Sequence, residues 1–208
     1  VEVLADGGVG VCAALAAWAL ARRVLRHEGA ALFAALLFAL HPLQTESVAW
    51  ISALNDPLAA ALVFASLERW LAWRERDGGL PIAAAGFYLL ALLTKEPAIA
   101  LLPLVLVLEF VGLGKPALRW RGFGVLLAVT LLWFALRVWV FGEVSGGFLR
   151  SNADYGGMTW RLRQELIGSA VWRTLWPFDL APGEPFRESW LTGSGDARAK
   201  AIGFGVAV

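Results

Sequence analysis

The amino-acid sequence predicts an all-α fold, a polytopic bundle of transmembrane helices carrying one extracytoplasmic amphipathic helix. Three observations predict it. Of 208 residues, 59% are hydrophobic and 17% charged, against about 45–50% and about 25% in ordinary soluble domains, and the mean hydropathy is +0.65. The apolar residues come in blocks separated by short clusters of charge. Lysine and arginine concentrate in every second loop between those blocks. Intrinsic disorder, a disulfide-stapled secreted domain and an ordinary soluble enzyme are excluded by this pattern. The formal net charge of +1, with its basic residues divided among loops rather than drawn into a stripe, gives no footprint for nucleic acid. The single cysteine, Cys12, lies in an apolar run and can form no internal disulfide.

Apolar segments fall at roughly 7–25, 30–51, 55–73, 80–94, 97–114 and 122–141, with the start of another from about 198. The whole chain is therefore expected to be a partial transmembrane core, about six spans plus the beginning of a seventh. A crossing helix needs about 20 apolar residues, so the last segment points to an internal piece of a longer protein. Orientation follows from the basic residues. Arg22, Arg23 and Arg26, then Arg69, Arg74 and Arg76, then Lys115, Arg119 and Arg121 occupy alternate loops, which the positive-inside bias places in the cytoplasm. Trp70, Trp73 and Trp120 fit the inner interface, and Trp50 and Trp139 the outer one. Residues 142–197 then form an outer loop. Within it Leu162, Leu166, Ile167, Val171, Leu175 and Trp176 recur at helical spacing among Arg161, Arg163, Glu165 and Arg173. Such a segment is too charged to span and fits a helix lying on the interface.

Ionisable residues at the outer ends of the spans carry the functional information, because such side chains are costly in a bilayer and usually face a bundle interior or a wet cavity. The first cluster runs from His41-Pro42 through Glu46 and Trp50 to Asp56-Pro57. The second is Thr94-Lys95-Glu96-Pro97. The third is Arg137, near the outer end of its span. Together they predict a polar cavity at one membrane face, with Glu46, Lys95 and Arg137 converging and His41 and Asp56 on the wall. Blander roles stand beside this one. His41-Pro42 has the form of a helix end, and Asp56-Pro57 that of an N-cap followed by proline at the first helical position. Lys95 and Glu96 have the form of loop charges, and Arg137 can snorkel. Glu109, near the inner end of its span, reads as an interface residue.

The string FALHPLQTESVAWISALNDPLAAALVFASL, followed by LLTKEPAIALLPLVLVLE, resembles the membrane core of tetratricopeptide-repeat-containing glycosyltransferases. These are relatives of the protein O-mannosyltransferases within the C superfold of integral-membrane glycosyltransferases. His41, Pro42, Glu46, Ser47, Val48, Trp50, Asp56, Lys95 and Glu96 match the family pattern. Downstream, WRTLWPFDLAPGEPF resembles the family's outer-loop segment. The family's usual arginine two residues before the aspartate is replaced here by Leu54.

The resemblance implies transfer of a sugar from a polyprenyl-phosphate donor to an extracytoplasmic acceptor, a protein hydroxyl or a glycan. Lys95 and Arg137 would bind the donor phosphate, where negative charge develops on the leaving group. The acceptor hydroxyl needs a base. In the superfold that base is an aspartate of the first outer loop, expected upstream of Val1, so no residue here is assigned as catalytic, Glu2 and Asp6 included. His41, Glu46, Trp50, Asp56 and Glu96 would position acceptor or sugar, or hold a divalent metal (Mg or Mn) if one is used. Tetratricopeptide repeats would lie beyond Val208. The implied setting is a multi-pass protein of the bacterial inner membrane with its site facing the periplasm, its partners the bilayer, the lipid-linked sugar and the acceptor. Two other readings compete: a transporter or channel, since charge within the membrane also marks transport paths, and a non-catalytic membrane scaffold.

Overall fold

A computed structural model of the chain describes residues 2–44, 54–76, 79–112 and 119–141, together with Gly168, Val171, Thr174 and Leu175. Every element among the described residues is helical. The chain divides into two compact units, Val1–Gly142 and Glu143–Val208. In the second unit the four described residues are helical, and the remainder of the expected interfacial helix lies outside the described residues.

The first unit holds α1 (Glu2–Leu25), α2 (Glu28–Leu40), α3 (Asn55–Arg74) and α4 (Ile82–Thr94). After α4 come a short 3-10 helix (Glu96–Ala100), α5 (Leu101–Val107), a π-helical turn (Leu108–Gly112) and α6 (Trp120–Phe141). Two helical stretches are long and apolar enough to cross a membrane, Gly8–Leu25 and Trp120–Phe141. The apolar helices α2 and α4 have 13 residues each, short for a straight crossing. The expected span at 30–51 is interrupted, because α2 stops at Leu40. His41 is extended (φ −63°, ψ 129°), the conformation a following proline imposes on the residue before it. The expected segment at 97–114 is also not one regular helix but a succession of 3-10, α and π turns.

Helix α1 packs against α2 and α3, α3 against α4, and α4 against α6. Close approach of α3, α4 and α6 is possible because small residues line their contacts. Ala84 and Ala91 are buried around Tyr88 and Leu126. Hydroxyls tie the same helices together. Ser66 Oγ donates to the Ala84 carbonyl at 2.8 Å. Thr130 Oγ1 spends its one proton on the Leu126 carbonyl at 3.0 Å, so Tyr88 Oη is the donor in its 2.8 Å bond to Thr130.

This topology gives the first unit two polar ends. At one, the ends of α1 and α3 meet the start of α6: Arg23 reaches Glu68 and Glu75, and Arg119 donates to the Arg76 carbonyl at 3.0 Å. The three basic sets assigned to the cytoplasm therefore lie together there, as far as they fall on described residues. At the opposite end are the start of α3, the break after α4 and the last turns of α6. Trp120 and Trp139 are exposed, as interface anchors would be, but Trp70 is fully buried. Its place is the core, where its indole N–H finds the Glu109 carboxylate at 3.0 Å.

Candidate functional site

The second polar end holds five of the residues singled out in the sequence: His41, Asp56, Lys95, Glu96 and Arg137. Lys95 is the extended residue (φ −155°, ψ 135°) between α4 and the 3-10 helix. An extended backbone sends successive side chains to different sides, and the consequence is visible here. Lys95 Nζ pairs with Asp56 at the start of α3. Glu96 turns to α6 and pairs with Arg137 at 2.5 Å. Two adjacent residues thus join the ends of three helices through two neighbouring ion pairs. Pro97, in the first turn of the 3-10 helix, has no N–H to leave unsatisfied there.

Both pairs reach solvent unequally. The Lys95 and Asp56 side chains are 42% and 38% exposed, while Arg137 is 16% and Glu96 62% exposed. The Arg137 side chain is held against its own helix. Its guanidinium stands over the Trp133 and Phe141 rings, 5.5 Å from each centroid, so aromatic faces hold the cation while its head meets Glu96. Asp56 does not cap α3. The residue preceding the helix is Leu54, without a side-chain cap, and Asp56 sits in the first turn, where a carboxylate also complements the helix dipole.

His41 closes α2 at the same end of the unit, and its Nδ1 accepts from the Leu43 backbone N–H at 3.3 Å. Glu46 and Trp50 lie outside the described residues, so the expected convergence of Glu46 with Lys95 does as well. Beside this end an apolar cavity of about 220 Å³ opens between Val11 and Ala14 of α1, Phe38 of α2, Gln44 and Pro57. Neither Asp56 nor Lys95 lines this cavity, although Pro57 follows Asp56 in the chain. Among the described residues no three His, Cys, Asp or Glu side chains gather as metal ligands, and Asp56 and Glu96 are each committed to a cation.

Two ionic clusters at the other end went unrecognised in the sequence. Glu109, expected at an interface, is fully buried and pairs with Arg74 at 2.7 Å. Glu68, nearly buried, accepts from Arg23 Nη2 at 2.8 Å and also meets Arg69. The available signal was a carboxylate within an otherwise apolar stretch, which is stable there only when paired.

No family model matches the chain, and no solved structure matches it. It is similar to human protein O-mannosyl-transferase TMTC1, with 35% identity over 105 residues. The match takes in 45% of this chain and 12% of the human protein. The chain thus spans a small part of that relative's length, and the relationship is a distant one with a protein O-mannosyl-transferase.

Proposed function

We propose that the chain is part of the membrane core of a glycosyltransferase that takes a sugar from a polyprenyl-phosphate carrier and passes it to an extracytoplasmic acceptor. The observation that carries this reading is the pair of ion pairs Asp56–Lys95 and Glu96–Arg137, neighbouring one another at one end of the unit. The partial similarity to a protein O-mannosyl-transferase supports it. In this reading α1 to α6 cross or enter the bilayer as a polytopic bundle, the arginine-rich end is cytoplasmic, and the Asp56–Lys95 end faces outward.

The chemistry asks for cations where the departing lipid phosphate gathers charge. Lys95 and Arg137 supply them, each held at rest by a carboxylate that an incoming phosphate can replace. Asp56 and Glu96, released from those pairs, are then free to hold sugar or acceptor hydroxyls, a role the sequence pattern also proposes for Glu46, Trp50 and His41. The apolar cavity beside Pro57 offers a dry neighbour for the lipid portion of the donor. None of these residues is assigned as the base that takes the acceptor proton.

Transfer from polyprenyl-phosphate mannose, assayed on the full-length membrane protein, tests the proposal. Lys95→Ala is expected to lower the rate about 10²–10³-fold, the usual effect of removing one preorganised charge contact. Glu46→Gln keeps shape and removes charge, so a loss there separates a charge role from packing. Parental rates in both variants would make the motifs structural, and absence of transfer by the parent protein would favour a scaffold.

A further inference from the structure

The opposite end of the first unit carries a second polar cavity, about 600 Å³ in volume, between α1, the turn into α2 and the end of α3. Arg22, Arg23, Arg26 and Arg69 line it against Glu28, Glu68 and Glu75, leaving one positive charge in excess. The pairing is uneven. Glu68 is the inner carboxylate, nearly buried and shared by Arg23 and Arg69. Glu28 and Glu75 are exposed, and exposed pairs of this kind hold their partners weakly. Arg26 has no ion-pair partner among the described residues.

Arg26 is unusual in a second respect. Its backbone has φ 52° and is the one non-glycine residue with positive φ among the described residues. A side chain in this conformation is strained, and glycine would relieve it. The turn between α1 and α2 nonetheless holds an arginine at the rim of a cavity already rich in guanidinium groups. His27, next in the chain, caps α2 through Nδ1, which accepts from the Ala30 N–H at 3.1 Å, and this fixes the turn that presents Arg26.

From the cavity, its surplus charge and the strained Arg26, without an ion-pair partner among the described residues, we propose that this end binds the phosphate of an anionic phospholipid headgroup, held by Arg22, Arg26 and Arg69. Guanidinium groups match phosphate oxygens in paired geometry. Basic pockets between helices on the cytoplasmic side are suited to such headgroups, and Trp18, with Arg22 4.6 Å above its ring, adjoins the site on the α1 side. Entry of the phosphate displaces the exposed Glu28 from Arg22 and leaves Glu68 in place. This inference rests on the membrane placement given under the proposed function but not on sugar transfer, because it concerns the opposite end of the unit and requires no turnover.

Native mass spectrometry of the purified chain in detergent, titrated with phosphatidylglycerol or phosphatidylcholine, tests it. Phosphatidylglycerol should be retained in preference to phosphatidylcholine. Arg26→Gly, which removes the charge at a position glycine favours, should weaken that retention about five-fold, the effect of one basic residue at an anionic surface. Arg22→Gln should act in the same direction. Arg121→Gln, at the same end but outside the cavity, should leave retention unchanged. Inorganic phosphate at millimolar concentration should fail to displace the lipid; displacement would assign a free phosphate to the same arginines and overturn the headgroup as ligand. Equal retention of the two lipids, or parental retention in both Arg26→Gly and Arg22→Gln, would overturn the site.

Discussion

The two polar ends of the first unit use the same side-chain types for different purposes. At the arginine-rich end Glu109 is 0% and its partner Arg74 17% exposed, and the Trp70 indole adds a hydrogen bond to the same carboxylate. At the other end the Lys95–Asp56 pair is 42% and 38% exposed. A buried pair cannot exchange a partner without stranding a charge, whereas a half-exposed pair exchanges at little cost. The Glu109–Arg74 contact therefore locks helices, and the Lys95–Asp56 pair remains available to a ligand. Glu109 thus serves structure and, under the proposed function, Lys95 serves chemistry, though both are charges at the edges of apolar segments.

Stability measurements in detergent can break this distinction. The largest loss is expected for Glu109→Ala, which removes the buried carboxylate that Arg74 and the Trp70 N–H both meet. Removing one member of a buried pair costs about 3–5 kcal/mol, and denaturant unfolding should show it. Next comes Gly122→Ala. A Cβ at this position would clash with the Trp73 and Trp70 rings, so the rings or α6 must shift. A loss of about 1–3 kcal/mol is expected from such overpacking. Arg26→Gly should act in the other direction, raising stability by about 1 kcal/mol through relief of the left-handed backbone. Smallest of all should be Asp56→Asn, whose effect on stability should stay within about 1 kcal/mol because its pair is open to solvent.

Much of this was legible in the sequence, and for identifiable reasons. Apolar blocks located the helices, since burial of apolar surface dominates their placement. His41-Pro42 signalled the end of α2 through the steric demand of proline on its predecessor. The motif residues Asp56, Lys95, Glu96 and Arg137 were expected on one membrane face, and the structure joins them in two ion pairs. Their partners were not legible. Which carboxylate meets Lys95 depends on the extended backbone at that residue and on how α3 lies against α4, neither of which a local pattern encodes. Glu68 and Glu109 escaped for the same reason, since a charge near a span end looks alike whether it meets water or a buried arginine. Trp70 resembled an interface anchor until packing placed it in the core.

The most direct test of the division between the two ends measures folding and sugar transfer on the same variants of the full-length protein. Lys95→Met should unfold within about 1 kcal/mol of the parent while transfer from polyprenyl-phosphate mannose falls about 10²–10³-fold. Lys95→Met protein that folds like the parent and transfers sugar at the parental rate would contradict the account.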